Sequence, residues 1–194
     1  MSNEGYIKFN FNWIEKKTVN RLDILELNFY REKLFKAGLI GMYENGIGFG
    51  NLSIRYKNKF LISGSATGGL KELNENHYAI VTDYDLSKNS LTCEGMVKAS
   101  SESLTHAAVY ECSENTNAVI HIHNLELWKK LLFKVPTTAK VEYGTPEMAN
   151  EIYRLFNETE VEEKKIICML GHEEGIITFG KNLKQANDIL FDLL

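Results

Sequence analysis

The sequence predicts an α/β protein built on a mixed, mainly antiparallel sheet flanked by helices. Three observations lead there. Short β-branched runs cluster in the first half of the chain and return near its end. Segments with apolar residues at helical spacing lie between them. No Ser- or Gly-rich linker or internal repeat interrupts the 194 residues, of which only two are proline. That length suits one domain, residues 1–194, with a well-buried core.

The elements follow in order. Leu27, Tyr30, Leu34 and Ala37 recur at helical spacing, which predicts an amphipathic helix over Val19–Ala37. After the glycine-rich Gly46–Asn51, the runs Leu52–Tyr56 and Lys59–Ser63 alternate like a short hairpin across Lys57-Asn58. Ala79–Thr82 is the next strand. Ser101–Cys112 reads as a helix with Leu104, Ala107 and Ala108 inward, Ala118–His123 as a strand and Leu125–Phe133 as a short helix. Thr145-Pro146-Glu147 is a helix start: a hydroxyl cap, proline in the first turn, and an acid near the positive end of the dipole. Lys165–Leu170 and Gly175–Phe179 are two strands around a turn, and Asn182 caps a last helix running to Leu194.

Composition excludes several classes. The chain is 44% hydrophobic and 25% charged, as in ordinary soluble globular proteins. A net charge of −4 provides no basic footprint for nucleic acid. No apolar run approaches a membrane span, and Met1–Gly5 lacks the basic and apolar regions of a secretory signal. Cys93, Cys112 and Cys168 form no CxxC pair, so they read as reduced thiols in a cytoplasmic protein.

The chemistry concentrates at Val119-Ile120-His121-Ile122-His123. In a strand, residues two apart share a face, so His121 and His123 project side by side as two ligands of one metal ion would. A catalytic zinc site needs about three protein ligands and an open position. His172, just after an apolar strand, is the best third ligand, and Glu174 competes with it because carboxylates also bind zinc. His77 sits in a polar turn and reads as a surface residue. His106 lies one helical turn after Glu102, where a supporting or packing role suits it better than ligation.

Glu102 stands near a helix start, where it either complements the dipole behind a Ser101 cap or serves the metal site as an acid and base. Ser100 and Ser101 offer hydroxyls and N–H groups at a helix N-terminus, a natural anion site. Gly48–Asn51 and Ser63–Gly69 offer two more sets of close-approach donors. A glycine-rich turn is usually only a turn; three in one small domain suggest a phosphate or carboxylate pocket. No Gly-Lys-Ser/Thr follows the glycines, so this is not a P-loop.

In this order the residues resemble the class II aldolase/adducin family. Gly50-Asn51-Leu52-Ser53-Ile54-Arg55 resembles its Gly-Asn-x-Ser-x-Arg motif, and Leu61–Ser65 its next loop motif. Ser100-Ser101-Glu102 with His106 is similar to its Ser-Ser-Glu-x-x-x-His helix start, and Ala118–His123 to its Ala-Val-x-His-x-His strand. Tyr143-Gly144-Thr145 and Met169–Ala186 also fit. The resemblance implies a three-layer α/β/α sandwich and a homotetramer with sites between neighbouring subunits. It implies that His121 and His123 bind Zn²⁺ or another divalent ion, with His172 or Glu174 as third ligand. It implies that Glu102 donates and accepts the proton and can also ligate the metal. Gly50, Asn51, Ser65, Ala66, Ser100 and Ser101 fall where sugar-phosphate aldolases grip phosphate.

The implied activity is that of a lyase in carbohydrate metabolism: aldol cleavage of a small sugar phosphate, or similar anionic hydroxy-carbonyl compound, through a metal-stabilised enediolate. An epimerase or dehydratase on the same site, or a non-catalytic adducin-like scaffold, are the alternatives. The chain departs from the family pattern at Glu174, which stands where a histidine usually precedes the glycine. It departs also at Ala66, where glycine is usual, and in a short segment between His123 and Tyr143.

Overall fold

The structure, a computed structural model, describes residues 6–57 and 59–194. The stretch Met1–Gly5, read for a targeting signal, and the turn residue Asn58 lie outside the described residues. Among the described residues, eight strands form one sheet. Its order is β1 (Asn10–Glu15), β7 (Ser90–Gly95), β6 (Tyr78–Asp85), β5 (Lys59–Ser63), β4 (Asn51–Tyr56), β8 (Ala118–His123), β10 (Gly175–Gly180), β9 (Ile166–Cys168). Only the β1–β7 pair is parallel. A small ribbon, β2 (Gly41–Met42) with β3 (Gly48–Phe49), stands apart from it. The helices are α1 (Leu25–Lys36), α2 (Ser103–Cys112), α3 (Leu125–Leu131), α4 (Pro146–Glu158), α5 (Val161–Lys164) and α6 (Leu183–Phe191). No helix among the described residues is long and apolar enough to cross a membrane.

Strand β8 shows how the sheet positions the site. Val119 packs into an apolar cluster with Leu104 and Ala108 of α2 and Met148 and Ile152 of α4. Ala118, Ile120 and Ile122 belong to the opposite cluster, with Leu27 and Leu34 of α1, Leu127 of α3 and Leu190 of α6. Helices therefore cover both faces, and the strand reads as a nearly continuous apolar run. Each fully buried Leu, Ile or Val contributes roughly 1.5–3 kcal/mol relative to exposure. Alternation then places His121 and His123 with Val119, on the α2 side.

Several boundaries differ from the sequence expectation. A 3-10 turn, Arg21–Ile24, precedes α1, and Ala37 is exposed at the helix end. Buried Arg31 shares the inner face of α1 with Leu27 and Leu34. Strands β1 and β7 were not expected from sequence. The last helix ends at Phe191 rather than Leu194, and the short helix after β8 ends at Leu131 rather than Phe133. The helix start at Thr145 stands as read: the Thr145 hydroxyl accepts from the Met148 N–H at 3.3 Å, with Pro146 in the first turn. All three cysteines are free thiols.

Candidate metal centre and anion pocket

Neighbouring strands frame the histidine pair. Asn51 of β4 lies opposite His121, and Gly175 of β10 lies opposite His123. Residues directly opposite in an antiparallel pair share a face, so all four positions point toward α2. The Nε2 atoms of His121 and His123 are 3.0 Å apart. His172 completes the cluster, and the three rings offer ligand atoms within 4.8 Å of one another. A cation bonded to two imidazoles at about 2.0–2.1 Å separates their nitrogens by about 2.9–3.4 Å at angles of about 90–110°. The His121–His123 pair thus fits a divalent cation in spacing, and all three histidines fit it in donor type.

His172 arrives by the turn between β9 and β10, where the sequence reading placed a turn. The N–H of Gly175 donates to the His172 carbonyl at 2.8 Å, and Glu174 takes a left-handed φ of +70°. That bend separates the two side chains. His172 joins the cluster and stacks on Tyr143, with ring centroids 4.7 Å apart. Glu174 passes behind His123, where its carboxylate accepts from the Tyr43 hydroxyl at 2.6 Å. The same hydroxyl lies 2.7 Å from His123 Nδ1. Gly175 is required by space: a Cβ there would stand 2.8 Å from the His172 carbonyl oxygen and 3.2 Å from His121 Cε1.

Glu102 is 3% exposed. Its Oε1 lies 3.1 Å from His172 Nδ1, and its Oε2 accepts from the Thr105 hydroxyl at 2.7 Å. Burial pushes its pKa up, but His172, then His121 and Thr105, outweigh that and hold it at about 2. Helix α2 begins at Ser103, two residues later than expected, and Ser101 is not its cap. The Ser100 hydroxyl accepts the Glu102 N–H at 3.3 Å, and the Ser103 hydroxyl donates to the Ser100 carbonyl at 2.6 Å. His106 is buried on the inner face of α2 and meets Ser53 Oγ at 2.7 Å through Nδ1. It takes no place in the three-histidine cluster. Burial, then the neighbouring histidines, lower the pKa of His123 well below its ordinary value.

The cluster forms the floor of a cavity of about 220 Å³. Its other walls carry the loop residues singled out from sequence: Gly50 and Asn51, Ser65 and Ala66, Ser100 and Ser101. That volume suits a small metabolite; drug-sized ligands occupy roughly 300–1,000 Å³. Asn51 is buried, and its Oδ1 has no hydrogen-bond partner among the described residues. Gly50 takes φ +75°, with a Cβ position only 2.6 Å from Ile40, so only glycine fits there.

Two contributors escaped the sequence reading. Tyr43 is one. Arg31 is the other: 2% exposed, it donates to the carbonyls of Thr67 at 3.2 Å, Gly68 at 2.8 Å and Lys71 at 3.0 Å. It pins the Ser65–Gly69 loop from behind. No carboxylate among the described residues pairs with it, and burial lowers its pKa. The periodic signal for Arg31 was present, since positions 27, 31 and 34 share one helix face.

The family model of the class II aldolase and adducin N-terminal domain matches residues 41–193. The chain belongs to this family. Solved structures agree in fold. An L-fuculose 1-phosphate aldolase superposes with a TM-score of 0.68 at 21% identity, covering 90% of this chain and 83% of its own. YgbL from Klebsiella pneumoniae gives 0.65 at 18% identity, covering 91% and 87%. The L-fuculose-1-phosphate aldolase of Thermus thermophilus gives 0.61 at 23% identity, covering 86% of each chain. Sequence comparison with curated proteins finds no match. At these identities the likeness is one of fold, and the chemistry of this class II aldolase domain must be argued from its own residues.

Proposed function

We propose that this chain is a metal-dependent carbon–carbon lyase acting on a small anionic hydroxy-carbonyl compound, with a sugar phosphate as the best-fitting class. One observation carries the reading: three clustered imidazoles and a buried, ionised Glu102 form the floor of a cavity walled by three donor-rich loops. His121, His123 and His172 hold the cation. Zn²⁺ or a similar ion would supply a Lewis acid for the substrate carbonyl. Glu102 enters as a base, since it is ionised at neutral pH. It takes a proton at the reacting carbon or hydroxyl and returns it during the reverse step. The Thr105 hydroxyl and His172 hold its two oxygens in place. Loops Gly50-Asn51, Ser65-Ala66 and Ser100-Ser101 hold the anionic end by backbone and side-chain donors. We further propose that residues 1–194 act as one domain, that a homotetrameric assembly completes each site from neighbouring copies, and that the protein is cytoplasmic.

The test is to load the purified protein with divalent metal and incubate it with candidate ketose phosphates. Release of a free aldehyde is expected. Glu102→Gln should keep bound metal and lower turnover by about 10²–10⁴. An isomer formed without free aldehyde would make the protein an epimerase, and failure to bind metal under any loading condition would make it a scaffold. Full activity of the Glu102→Gln protein would remove Glu102 from the chemistry.

A further inference from the structure

We propose that Tyr43 and Glu174 form a hydrogen-bonded relay onto His123 that fixes its tautomer and strengthens its grip on the cation. The inference rests on the metal-site reading above and goes beyond it, because neither residue belongs to the ligand cluster.

The proton positions follow from the chemistry of the three groups. An ionised carboxylate only accepts hydrogen bonds. The Tyr43 hydroxyl has one proton, and at 2.6 Å from Glu174 Oε2 it donates there. Its oxygen then accepts, so the His123 Nδ1 at 2.7 Å must carry the hydrogen. That makes Nε2 the unprotonated nitrogen, and Nε2 is the atom 3.0 Å from His121 Nε2. Glu174 Oε2 itself is 3.9 Å from His123 Nδ1 and reaches it only through the phenol. His172 has a comparable arrangement without an intermediary, with Glu102 at its Nδ1. A carboxylate at the far nitrogen of a metal-binding histidine orients the ring and raises its basicity.

The surroundings hold both members rigidly. Tyr43 is fixed in the turn between β2 and β3: its N–H donates to the Ile47 carbonyl, and the Gly46 N–H donates to its own. Its ring lies 4.5 Å from Phe49, which in turn stacks on His123. Glu174 is anchored at its carbonyl by the Asn124 N–H at 3.0 Å. Its left-handed backbone is the bend that turns the carboxylate away from the cluster and toward Tyr43.

The experiment measures Zn²⁺ affinity by chelator competition on metal-stripped full-length protein, for the unchanged protein, Tyr43→Phe, Glu174→Gln and the double variant. Tyr43→Phe keeps the ring against Phe49 and should weaken Zn²⁺ binding about 10–100-fold. Glu174→Gln should weaken it by a smaller factor. Members of one relay are not independent, so the double variant should bind about as Tyr43→Phe does. Nitrogen-15 NMR of the metal-stripped protein should show the Nδ1–H tautomer of His123, giving way to a mixture in Tyr43→Phe. Affinity of Tyr43→Phe within twofold of the unchanged protein would overturn the relay, as would losses that multiply in the double variant. Should Tyr43→Phe not fold, Glu174→Gln decides: unchanged affinity and tautomer overturn the proposal. An unchanged protein that binds no Zn²⁺ overturns the metal-site reading and the relay together, whereas binding that ignores both substitutions overturns the relay alone.

Discussion

Acid should destabilise this protein through His106, and the size of the effect can be worked out. The ring is fully buried, its Nδ1 meets Ser53 Oγ at 2.7 Å, and Ser53 Oγ meets the Tyr110 hydroxyl at 2.8 Å. Its Nε2 has no partner among the described residues, so a second proton there would have no acceptor. Burial lowers the pKa most and His121 lowers it further; Glu102 opposes them, and the result is about 3. Unfolded, the ring titrates at its ordinary 6.5. Below pH 6.5 the unfolded chain therefore binds a proton that the folded one refuses, and stability falls with pH until about pH 3. At about 1.36 kcal/mol per tenfold change in proton affinity, the full loss is about 5 kcal/mol. Between about pH 6.5 and 4.5 it is about 2 kcal/mol, a large share of a typical total of about 5–15 kcal/mol. We predict that urea unfolding of the metal-free protein will show this slope, and that His106→Asn will lower it by about that amount over the same window. The amide keeps a polar partner for Ser53 but does not titrate. Parallel profiles for the two proteins would refute the reasoning, because the slope would then belong to other groups such as His123.

Three further perturbations have definite expected outcomes. Arg31→Met removes three hydrogen bonds from a charged donor but also a buried cation that pairs with no carboxylate among the described residues. We predict a net loss of about 2–3 kcal/mol in urea unfolding and weaker binding of inorganic phosphate by calorimetry; unchanged phosphate binding would show that the loop needs no brace. Gly175→Ala should push His172 and His121 apart and lower Zn²⁺ affinity at least about tenfold, the scale of a disturbed ligand shell; an unchanged affinity would mean the rings have room to spare. Ala66 takes φ +60°, where a Cβ costs about 1–2 kcal/mol, partly offset by the greater unfolded-state freedom of glycine. Ala66→Gly should therefore raise stability by up to about 1 kcal/mol, and a clear fall in melting temperature would contradict this.

The histidine pair was legible because a strand's period of two leaves no freedom: positions 121 and 123 must share a face once the run is a strand. Edge strand β1 and its neighbour β7 were less visible. In β1, exposed Asn10, Asn12, Ile14 and Glu15 surround only partly buried Phe11 and Trp13. In β7, the inward positions are Leu91, Cys93 and Gly95, two of them small. The start of α2 slipped by two residues because Ser100 and Ser103 bond to the turn that carries Glu102, a competition that serine side chains often win over helix. Tyr43 and Arg31 were hidden for another reason. Tyr43's partners lie 80 and 131 residues away and Arg31's 36–40, and periodicity says nothing about contacts of that separation. The roles of His172 and Glu174 depended on a single left-handed residue, which two flanking glycines hint at but do not place.

On the proposed function, the electrostatics of the cavity favour one orientation of the anionic substrate. On one wall, the buried Arg31 guanidinium lies behind the Ser65–Gly69 loop, whose edge faces the cavity. On the floor, Glu102 points its charge at His172, and Glu174 is tied behind His123 by Tyr43. An anion placed against the loops meets donors and a distant positive charge. Reversed, it would lie against the Glu102 carboxylate. At about 4 Å and an effective dielectric near 20, two like charges repel by about 4 kcal/mol in the metal-free site, and a bound divalent cation would offset that repulsion. On the proposed reading, the donor loops and the Glu102 charge act together to bring the reacting carbon beside Glu102. A neutral substrate analogue lacking the anionic group should lose this discrimination: it should bind weakly, react slowly, and respond little to Arg31→Met. An analogue turned over as fast as the anion would show that orientation comes from shape alone.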